Sequence, residues 1–188
     1  MKSSRSALSR TGLLGLFTVQ AALLSFALPA AASAAGSEGS LVQKAGTEAC
    51  ISETGSSGAC ADGVGLDDSR SVTVSPDGKS AYAAAGSSDA VAVFDRDITT
   101  GALAQKAGLE ACVSESGSGG SCTDGVGLNG SRSVTVSPDG KSAYIASVIS
   151  DAVAVFDRNI TTGALTQKAG LEACVSESGS GGSCTDGV

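Results

Sequence analysis

The sequence predicts an all-β fold: a β-propeller built of four-stranded antiparallel blades, present as an incomplete set of about two blades plus flanking strands. Three observations predict it. The chain repeats itself with a fixed period, since Pro76 returns as Pro138, an offset of 138 minus 76, or 62 residues. Each unit contains four short segments with β-strand patterning, and nothing beyond residue 34 has a helical period. A fixed period indicates an array of one supersecondary unit that is stable only when stacked on its neighbours.

The first 34 residues are predicted to be a secretion signal, and residues 35–188 to be the propeller repeat region. A basic head (Lys2, Arg5, Arg10) precedes a largely apolar stretch, and the small residues at 32–34 offer an A-x-A cleavage site. The alternative is a membrane anchor, which is disfavoured because the apolar run is short for a span and meets Pro29. We expect the mature chain to be secreted, with no membrane span once the signal is cleaved.

Charge and aromatic content argue against nucleic acid as a partner. The signal holds three of the 12 basic residues and none of the 19 acidic ones, so the mature chain carries 9 minus 19, a formal charge of −10. Nucleic-acid binders need a basic patch. The aromatic residues beyond the signal are Tyr82, Tyr144, Phe94 and Phe156. They form two repeat-equivalent pairs, which offer no stacking platform for bases or sugars.

Six cysteines are expected to form disulfides, because an exported chain meets an oxidising compartment. Each unit carries one Cys-x9-Cys motif, and this regularity favours local pairing over the many alternatives. The predicted pairs are Cys50 with Cys60, Cys112 with Cys122, and Cys174 with Cys184. The competing hypothesis is a metal site, but zinc sites use a tighter cysteine spacing together with histidine, which the chain lacks. We expect neither a bound metal nor a cofactor.

The first complete unit predicts four strands in order. Residues 71–74 alternate between polar and apolar side chains and are rich in β-branched ones. The Ser-Pro-Asp-Gly that follows them is a turn sequence. Residues 81–85 and 90–94 give the second and third strands, and residues 103–106 give the fourth. Small alanines beside larger valines in the middle strands predict packing on both faces of the sheet.

The unit is longer than a usual blade of about 40 to 50 residues. We assign the excess of about 20 residues to a hairpin between the two cysteines and to the loop over residues 62–66, both on the rim of the blade. A β-solenoid would show shorter coils, and an immunoglobulin-like array would need longer units with more strands. Both remain alternatives to the propeller.

These segments resemble a known repeat. The motif Ser75-Pro76-Asp77-Gly78-Lys79 with Tyr82, then residues 90–95 (Ala-Val-Ala-Val-Phe-Asp) and 100–103 (Thr-Gly-Ala-Leu), resembles the repeat of the bacterial lactonase-like and YVTN-type seven-bladed β-propellers. The second unit matches in the same way. The resemblance covers most of the mature chain, and it implies a blade rather than an activity.

The same resemblance permits an enzyme, because lactonase-like propellers include hydrolases that open cyclic esters. Their proposed catalytic groups are acidic, arginine and histidine side chains facing the central channel, and this chain has no histidine. Arg70 and Arg132 precede the inner strand of each unit and are candidates for the channel, although a solvated charge at a strand start is the favoured interpretation. Asp95 and Asp157 lie at strand ends, where such residues cap a turn more often than they act as a base. Arg96 and Arg158 form the remaining equivalent pair.

The ends of the sequence raise a question of completeness. Residues 41–45 match the fourth strand, so the mature chain is expected to hold 1 + 4 + 4 strands and to stop within a third cysteine hairpin at Val188. Two interpretations follow: the sequence is part of a longer chain, which we favour, or several copies assemble into a ring. An oligomer is expected only if the chain truly ends at Val188.

Two functions from different classes remain open. The first is an exported, disulfide-stapled scaffold whose loops bind a protein or a component of the cell envelope. The second is a piece of a lactonase-type hydrolase. Positions that differ between the units, such as Asp67 and Asn129, assemble no nucleophile with a base, which favours the scaffold. The sequence names neither the ligand nor the catalytic residues.

Overall fold

A computed structural model describes residues 41–188, and the predicted secretion signal lies outside them. The described chain is all-β, with strands joined by turns and short 3-10 helices. The strands are β1 (Ile51–Ser52), β2 (Ala61–Asp62), β3 (Ser69–Val74), β4 (Ser80–Ala85), β5 (Ala90–Arg96), β6 (Leu103–Gln105), β7 (Cys112–Ser114), β8 (Thr123–Asp124), β9 (Ser131–Val136), β10 (Ser142–Ser147), β11 (Ala152–Arg158), β12 (Leu165–Gln167), β13 (Cys174–Ser176) and β14 (Thr185–Asp186). The 3-10 helices are Gly46–Ala49, Gly55–Gly58, Gly108–Ala111, Gly117–Gly120, Gly170–Ala173 and Gly179–Gly182.

The strands form two copies of one propeller blade. In the first blade β3, β4 and β5 pair antiparallel in that order, with Tyr82 opposite Val93. In the second, β9, β10 and β11 pair in the same way, with Tyr144 opposite Val155. The predicted strands over 71–74, 81–85 and 90–94 are therefore present, each one or two residues longer at an end. β1 and β2 repeat the last two strands of a unit, β7 and β8.

The turn between β3 and β4 follows from its sequence. Asp77 accepts hydrogen bonds from the Ser75 hydroxyl at 2.6 Å and from the backbone N–H of Lys79 at 3.0 Å. Gly78 has a φ of 72°, a left-handed conformation that glycine adopts without steric cost. The same bonds recur in the second unit, so the Ser-Pro-Asp-Gly sequence fixes where the first two strands of each blade reverse.

The fourth place in each blade holds two short strands, where the sequence predicted one strand over residues 103–106. β6 and β7 both pair antiparallel with β5, at opposite ends of that strand. The chain leaves the sheet between them because Gly108, with a φ of 59°, departs from the extended conformation. The side-chain amide of Gln105 spans the break, since it donates to the carbonyls of Val64 at 2.7 Å and Ala111 at 3.1 Å.

The segment between paired cysteines is a loop with parallel limbs, which corrects the expected hairpin. β7 and β8 run parallel, with Val113 opposite Thr123, and β13 and β14 repeat the arrangement. An antiparallel hairpin reverses the chain once, whereas this segment turns further. Positive φ angles at Ser118 and at the glycines that follow it provide the extra rotation.

The strand expected over residues 41–45 is not formed. These residues have no regular secondary structure before the 3-10 helix at Gly46–Ala49. A single strand cannot satisfy its backbone without a neighbour, and the described residues offer this segment no antiparallel partner. The expected count of 1 + 4 + 4 strands is therefore wrong at the first strand and at the split fourth strands.

The main core lies between the two blades. Its largest buried side chains come from the middle strands of the first blade and from the facing surface of the second: Tyr82, Val91, Val93, Leu128, Ile145 and Phe156. All six residues of β4 are buried, as expected for a strand packed on both faces. In β10 and β11 buried residues alternate with more exposed ones, so the described residues cover one face of the second blade and leave the other open.

Candidate functional site

A group of polar residues joins the two blades where β11 ends. We call Arg158, Asp77, Ser80, Tyr82 and Gly163 the interblade cluster. Arg158 is the last residue of β11, and its side chain, only 1% exposed, reaches the first blade. Asp77 lies in the turn before β4, while Ser80 and Tyr82 lie on β4 itself. The cluster therefore connects the end of one blade to the beginning of the other.

All three nitrogens of the Arg158 guanidinium donate hydrogen bonds. Its Nη2 donates to both carboxylate oxygens of Asp77, at 3.2 and 3.0 Å, and to Ser80 Oγ at 3.2 Å. Nη1 donates to the carbonyl of Gly140 at 3.0 Å, and Nε donates to the Tyr82 hydroxyl at 2.7 Å. That hydroxyl in turn donates to the carbonyl of Gly163 at 2.7 Å. The planar, forked guanidinium suits such a set of acceptors, as an ammonium group would not.

The charges in the cluster stabilise one another. Burial alone would raise the pKa of the Asp77 carboxyl, but hydrogen bonds from Ser75, the Lys79 backbone and Arg158 outweigh it and lower that pKa to about 2. Burial raises the pKa of the Tyr82 hydroxyl. Burial would lower the pKa of Arg158, but its bonds to Asp77 and Tyr82 raise it. Asp77 and Arg158 are thus both ionised, and Tyr82 is neutral, across the physiological range.

The interblade cluster is built to hold blades together rather than to react. A catalytic nucleophile needs a base that can take its proton. The Tyr82 hydroxyl donates to a backbone carbonyl, and Ser80 Oγ accepts from Arg158, which cannot accept a proton. No buried side-chain nitrogen or oxygen of the described residues lacks a hydrogen-bond partner. The cluster acts as a structural lock between neighbouring units.

The same residue types recur elsewhere in the two described units, where the described residues do not complete the set of bonds. Arg96, equivalent to Arg158, donates to the carbonyl of Gly78 at 2.9 Å, and no carboxylate of the described residues pairs with it. Asp139, equivalent to Asp77, is exposed and accepts bonds from its own turn. Tyr144, equivalent to Tyr82, is 37% exposed. Identical sequence positions thus differ in environment because residues 41–188 contain a single pair of adjoining blades.

A cleft of about 420 Å³ lies between the segment that begins at Val42 and the outer face of the first blade. Its apolar wall is formed by Leu66, Val72, Ala83, Phe94 and Leu103, and its polar rim includes Gln43, Lys44 and Glu48. This volume lies within the usual range of ligand pockets, about 300 to 1,000 Å³. The equivalent wall residues of the second blade are covered by the first blade, so the cleft lies at the position where, on the second blade, the neighbouring blade packs.

Each unit also presents a disulfide loop on its outer edge. The rim loops comprise residues 47–62, 109–124 and 171–186, and they contain the disulfides Cys50–Cys60, Cys112–Cys122 and Cys174–Cys184, the local pairs expected from the sequence. Within the second loop, Glu115 accepts a hydrogen bond from the backbone N–H of Leu128 at 2.5 Å. Thr123 Oγ1 donates to the carbonyl of Leu109 at 3.0 Å. The disulfides close all three loops, and these two bonds join the ends of the second loop and tie it to the chain that follows.

The polar residues singled out from the sequence are not gathered into one site. Arg70 and Arg132 lie on the inner strands β3 and β9 and are exposed, and Arg70 pairs with Asp68. Asp95 and Asp157 pair with Lys106 at 2.8 Å and with Lys168 at 2.7 Å, so they do not cap turns as expected. The residue that caps the turn is Asp97, which accepts from the backbone N–H groups of Thr99 and Thr100.

Sequence reasoning missed the interblade cluster. Its signal was present, since Asp77, Tyr82 and Arg158 belong to motifs that recur in each unit, but a recurrence does not show which units touch. Over residues 41–188, no group of three or more acidic or cysteine side chains is placed to hold a metal ion. In the same residues, no helix has the length and apolarity required to cross a bilayer.

No known family profile and no curated protein matches the chain. Solved structures do match it in part. A functionally unknown protein from Desulfotomaculum acetoxidans is 18% identical with a TM-score of 0.42, over 60% of this chain and 28% of that one. A candidate 6-phosphogluconolactonase from Bacteroides fragilis is 28% identical with a TM-score of 0.41, over 57% and 26%. The periplasmic gluconolactonase of Pseudomonas aeruginosa is 28% identical with a TM-score of 0.41, over 54% and 25%. The matched part spans about a quarter of each of these structures.

Proposed function

We propose that this chain is an exported, disulfide-stapled β-propeller repeat protein that serves as a binding scaffold for a protein or a component of the cell envelope. One observation carries the proposal: each unit presents an equivalent rim loop, closed by a disulfide and by backbone hydrogen bonds such as that from the Cys122 N–H to the carbonyl of Gly117. Disulfides of this kind are typical of extracytoplasmic proteins. Rigid loops on a regular scaffold suit recognition, because little conformational entropy is lost on binding.

The rim loops of the two complete units offer an apolar residue beside carboxylates. Leu109 is 55% exposed and Leu171 is 56% exposed, each at the start of its loop. Glu110 and Glu172 follow them directly and are exposed as well. An exposed leucine followed by a glutamate suits a partner that offers an apolar contact and a positive charge. Because the loops recur at a fixed spacing, two weak contacts can add up to strong binding.

The scaffold proposal is tested by replacing the rim leucines. The first rim loop carries Thr47 at the equivalent position, so Leu109→Thr with Leu171→Thr introduces a residue that the repeat already accepts. The matched control is Ile98→Thr with Ile160→Thr, which removes two exposed, repeat-equivalent apolar residues from a different turn. The probe is a purified cell envelope of the producing bacterium, and the measurement is the fraction of purified residues 35–188 that sediments with it.

We expect the leucine variant to lose at least about tenfold in apparent affinity and the isoleucine control to bind like the unaltered chain. Equal binding by all three proteins would remove the rim loops as the contact surface. The scaffold proposal itself would be refuted if the unaltered chain bound neither the cell envelope nor any protein from the culture medium.

The second candidate is the lactonase-type hydrolase that the sequence resemblance permits. The cleft beside Val72 favours it, since a small cyclic ester fits within about 420 Å³. The hydroxyl lining this cleft belongs to Ser69, which donates to the carbonyl of Leu66 at 2.7 Å, and no base among the described residues accepts its proton. We therefore place the hydrolase behind the scaffold.

A panel of lactones separates the two functions. Purified residues 35–188 and the complete native protein are assayed in parallel for ring opening, with Glu48→Gln and Lys44→Met as variants of the polar rim of the cleft. Turnover that falls in either variant would establish the hydrolase and refute a pure binding role. No turnover above the spontaneous rate in either preparation is the result expected from the scaffold.

A further inference from the structure

A groove that shares no residue with the interblade cluster opens between the two blades. It has a volume of about 320 Å³ and lies where the outer strands of the first blade meet β12 of the second. One wall comes from the 3-10 helix Gly108–Ala111 with β7 and β8, and the other comes from residues 164–167. Both walls belong to complete units of the repeat. We call this opening the interblade groove.

The floor of the interblade groove is apolar. Val93, Val113 and Leu165 line it, and they belong to the main core between the blades or pack against it. The volume is at the lower end of the range for ligand pockets, about 300 to 1,000 Å³, which suits one long side chain. Apolar groups that enter the groove leave water, and this transfer favours binding.

Two carboxylates, those of Glu110 and Asp124, stand at the groove. The hydrogen bond from Thr123 Oγ1 to the carbonyl of Leu109, at 3.0 Å, sets their positions, because each acidic residue directly follows one partner of that bond. In the described part of the chain neither carboxylate forms an ion pair. No lysine or arginine is among the described residues that line the groove. An apolar floor is thus combined with negative charge that the groove does not neutralise.

The wall opposite the carboxylates is held by the side-chain amide of Gln167. The amide accepts a hydrogen bond from the N–H of Val126 at 2.9 Å and donates to the carbonyls of Val126 at 2.7 Å and Ala173 at 3.1 Å. Val126 lies in the loop that follows β8, so these bonds fasten β12 to the chain that leaves the first wall. Walls fixed in this way lose little conformational entropy when a ligand binds.

We propose that the interblade groove binds a long basic side chain, lysine or arginine, of a protein partner. This inference rests on the scaffold function proposed above and specifies the chemistry of its partner. The aliphatic stem of the basic side chain lies on the apolar floor, and its charged end reaches Glu110 and Asp124. An exposed ion pair alone contributes little affinity, so the buried stem and the fixed walls supply most of it.

The site is a property of the repeat. Glu48, Cys50, Ile51 and Leu103 hold the equivalent positions one unit earlier, and they line part of the larger cleft described above. Acidic residues at the same place in successive units give a row of equal sites at the blade junctions. A partner with basic residues at a matching spacing engages two sites at once, which multiplies its affinity.

The test is a methyl NMR titration of purified residues 35–188, read from the signals of Val113 and Leu165 because these report on this groove alone. The probe is a pentapeptide with lysine at its centre and glycine elsewhere. In the matched probe norleucine replaces the lysine, which keeps the aliphatic chain and removes the charge. Circular dichroism confirms that each protein variant is folded.

Three protein variants separate charge from shape. Glu110→Gln with Asp124→Asn removes the negative charge of the groove. Thr166→Tyr adds bulk at an exposed position of its wall and leaves both carboxylates in place. The matched control is Asp67→Asn with Asp97→Asn, which removes two exposed carboxylates outside the groove and introduces the residues that the second unit already carries at these positions.

We expect the lysine peptide to shift both methyl signals to saturation and the norleucine peptide to bind about tenfold more weakly or worse. The neutral groove variant and Thr166→Tyr each weaken binding of the lysine peptide about fivefold or more, and the control binds it like the unaltered chain. The proposal is overturned if the lysine peptide shifts neither signal, if the two peptides bind equally, or if both groove variants bind as the unaltered chain does.

Sedimentation with the cell envelope, measured on the same proteins, separates this inference from the scaffold function. Full envelope binding by the neutral groove variant, with no shift by the lysine peptide, overturns the groove and leaves the scaffold standing. Saturable binding of the lysine peptide by a chain that finds no partner in envelope or medium supports the groove and refutes the scaffold.

Discussion

The two blades approach each other closely at Gly163, and replacing this residue by alanine is a direct test of how they are held together. Gly163 has a φ of 75°, and its carbonyl accepts the Tyr82 hydroxyl proton. A Cβ atom there would lie 3.0 Å from Ser80 Cβ and 3.5 Å from the Tyr82 hydroxyl, and still closer to Ser80 Oγ. A hydroxyl can rotate away from such a contact, but Ser80 Cβ is fixed to the backbone of β4. The blades must therefore separate or the loop must shift.

The repeat supplies a matched control for the backbone cost. Gly101 is the equivalent residue of the first unit, with a φ of 73°, and a Cβ atom there would meet nothing closer than Arg96 Nη2 at 3.6 Å. Alanine at either position costs about 1 to 2 kcal/mol for its left-handed conformation. Gly163→Ala has two further costs. Overpacking against the first blade costs about 1 to 3 kcal/mol, and weakening of the hydrogen bond from the Tyr82 hydroxyl costs about 1 kcal/mol.

The assay is thermal and urea unfolding followed by far-ultraviolet circular dichroism. We expect Gly163→Ala to be about 2 to 4 kcal/mol less stable than Gly101→Ala, which corresponds to a Tm about 4 to 16 °C lower for a domain of this size. Equal loss of stability in the two variants would refute the interpretation, because it would mean that glycine is needed at both positions for backbone conformation alone and that the blades do not meet there.

Three further predictions concern the lock and the rim loops. Arg158→Lys should lower the free energy of unfolding by about 2 to 4 kcal/mol, because an ammonium group cannot donate to the same set of acceptors. Arg96→Lys should lower it by under about 1 kcal/mol. Equal losses in urea titrations would contradict the role of Arg158 in holding the two blades together. Because the pKa of Asp77 is lowered to about 2, the stabilisation by its charge is fully present above about pH 4 and is lost as the pH falls toward 2. The free energy lost is about 1 kcal/mol after solvent screening, since this side chain is 32% exposed. In Asp77→Asn, the free energy of unfolding measured against pH should not show this loss. Cys112→Ser with Cys122→Ser should cost somewhat under about 3 kcal/mol, and free thiols found in the denatured, unreduced native protein would contradict the disulfides.

The sequence carried enough information to predict the blade. Three of its strands are set by local patterning and by the Ser-Pro-Asp-Gly turn, and these were predicted within two residues. The split fourth strand was not predicted, because its interruption depends on the conformation of Gly108 and on the amide of Gln105 reaching Val64, 41 residues away. The parallel limbs of the rim loop were missed for a similar reason, since a Cys-x9-Cys spacing fits a hairpin equally well.

The candidate site illustrates a limit that repeats impose on sequence analysis. Arg96 and Arg158 occupy the same position of the repeat, yet one is half-buried and the other is sealed between blades. Local sequence cannot distinguish them, because the difference arises from which neighbour is present. The expected strand over residues 41–45 failed in the same way: its residues suit a strand, but a strand forms only where a partner offers its edge.

The broken outer strand also bears on the solubility of an array made of nearly identical units. Sheets made of alike sequences can add to one another at their edges, which leads to aggregates. Here the edge that each blade turns outward ends in a strand of only two residues, β8 or β14, which is tied back by a disulfide in a rigid loop. Such an edge has too few free backbone groups in line to template another strand. The rim loops thus protect the chain from mispairing with its own copies through the sheet edge, while the faces of the blades stay free to pack.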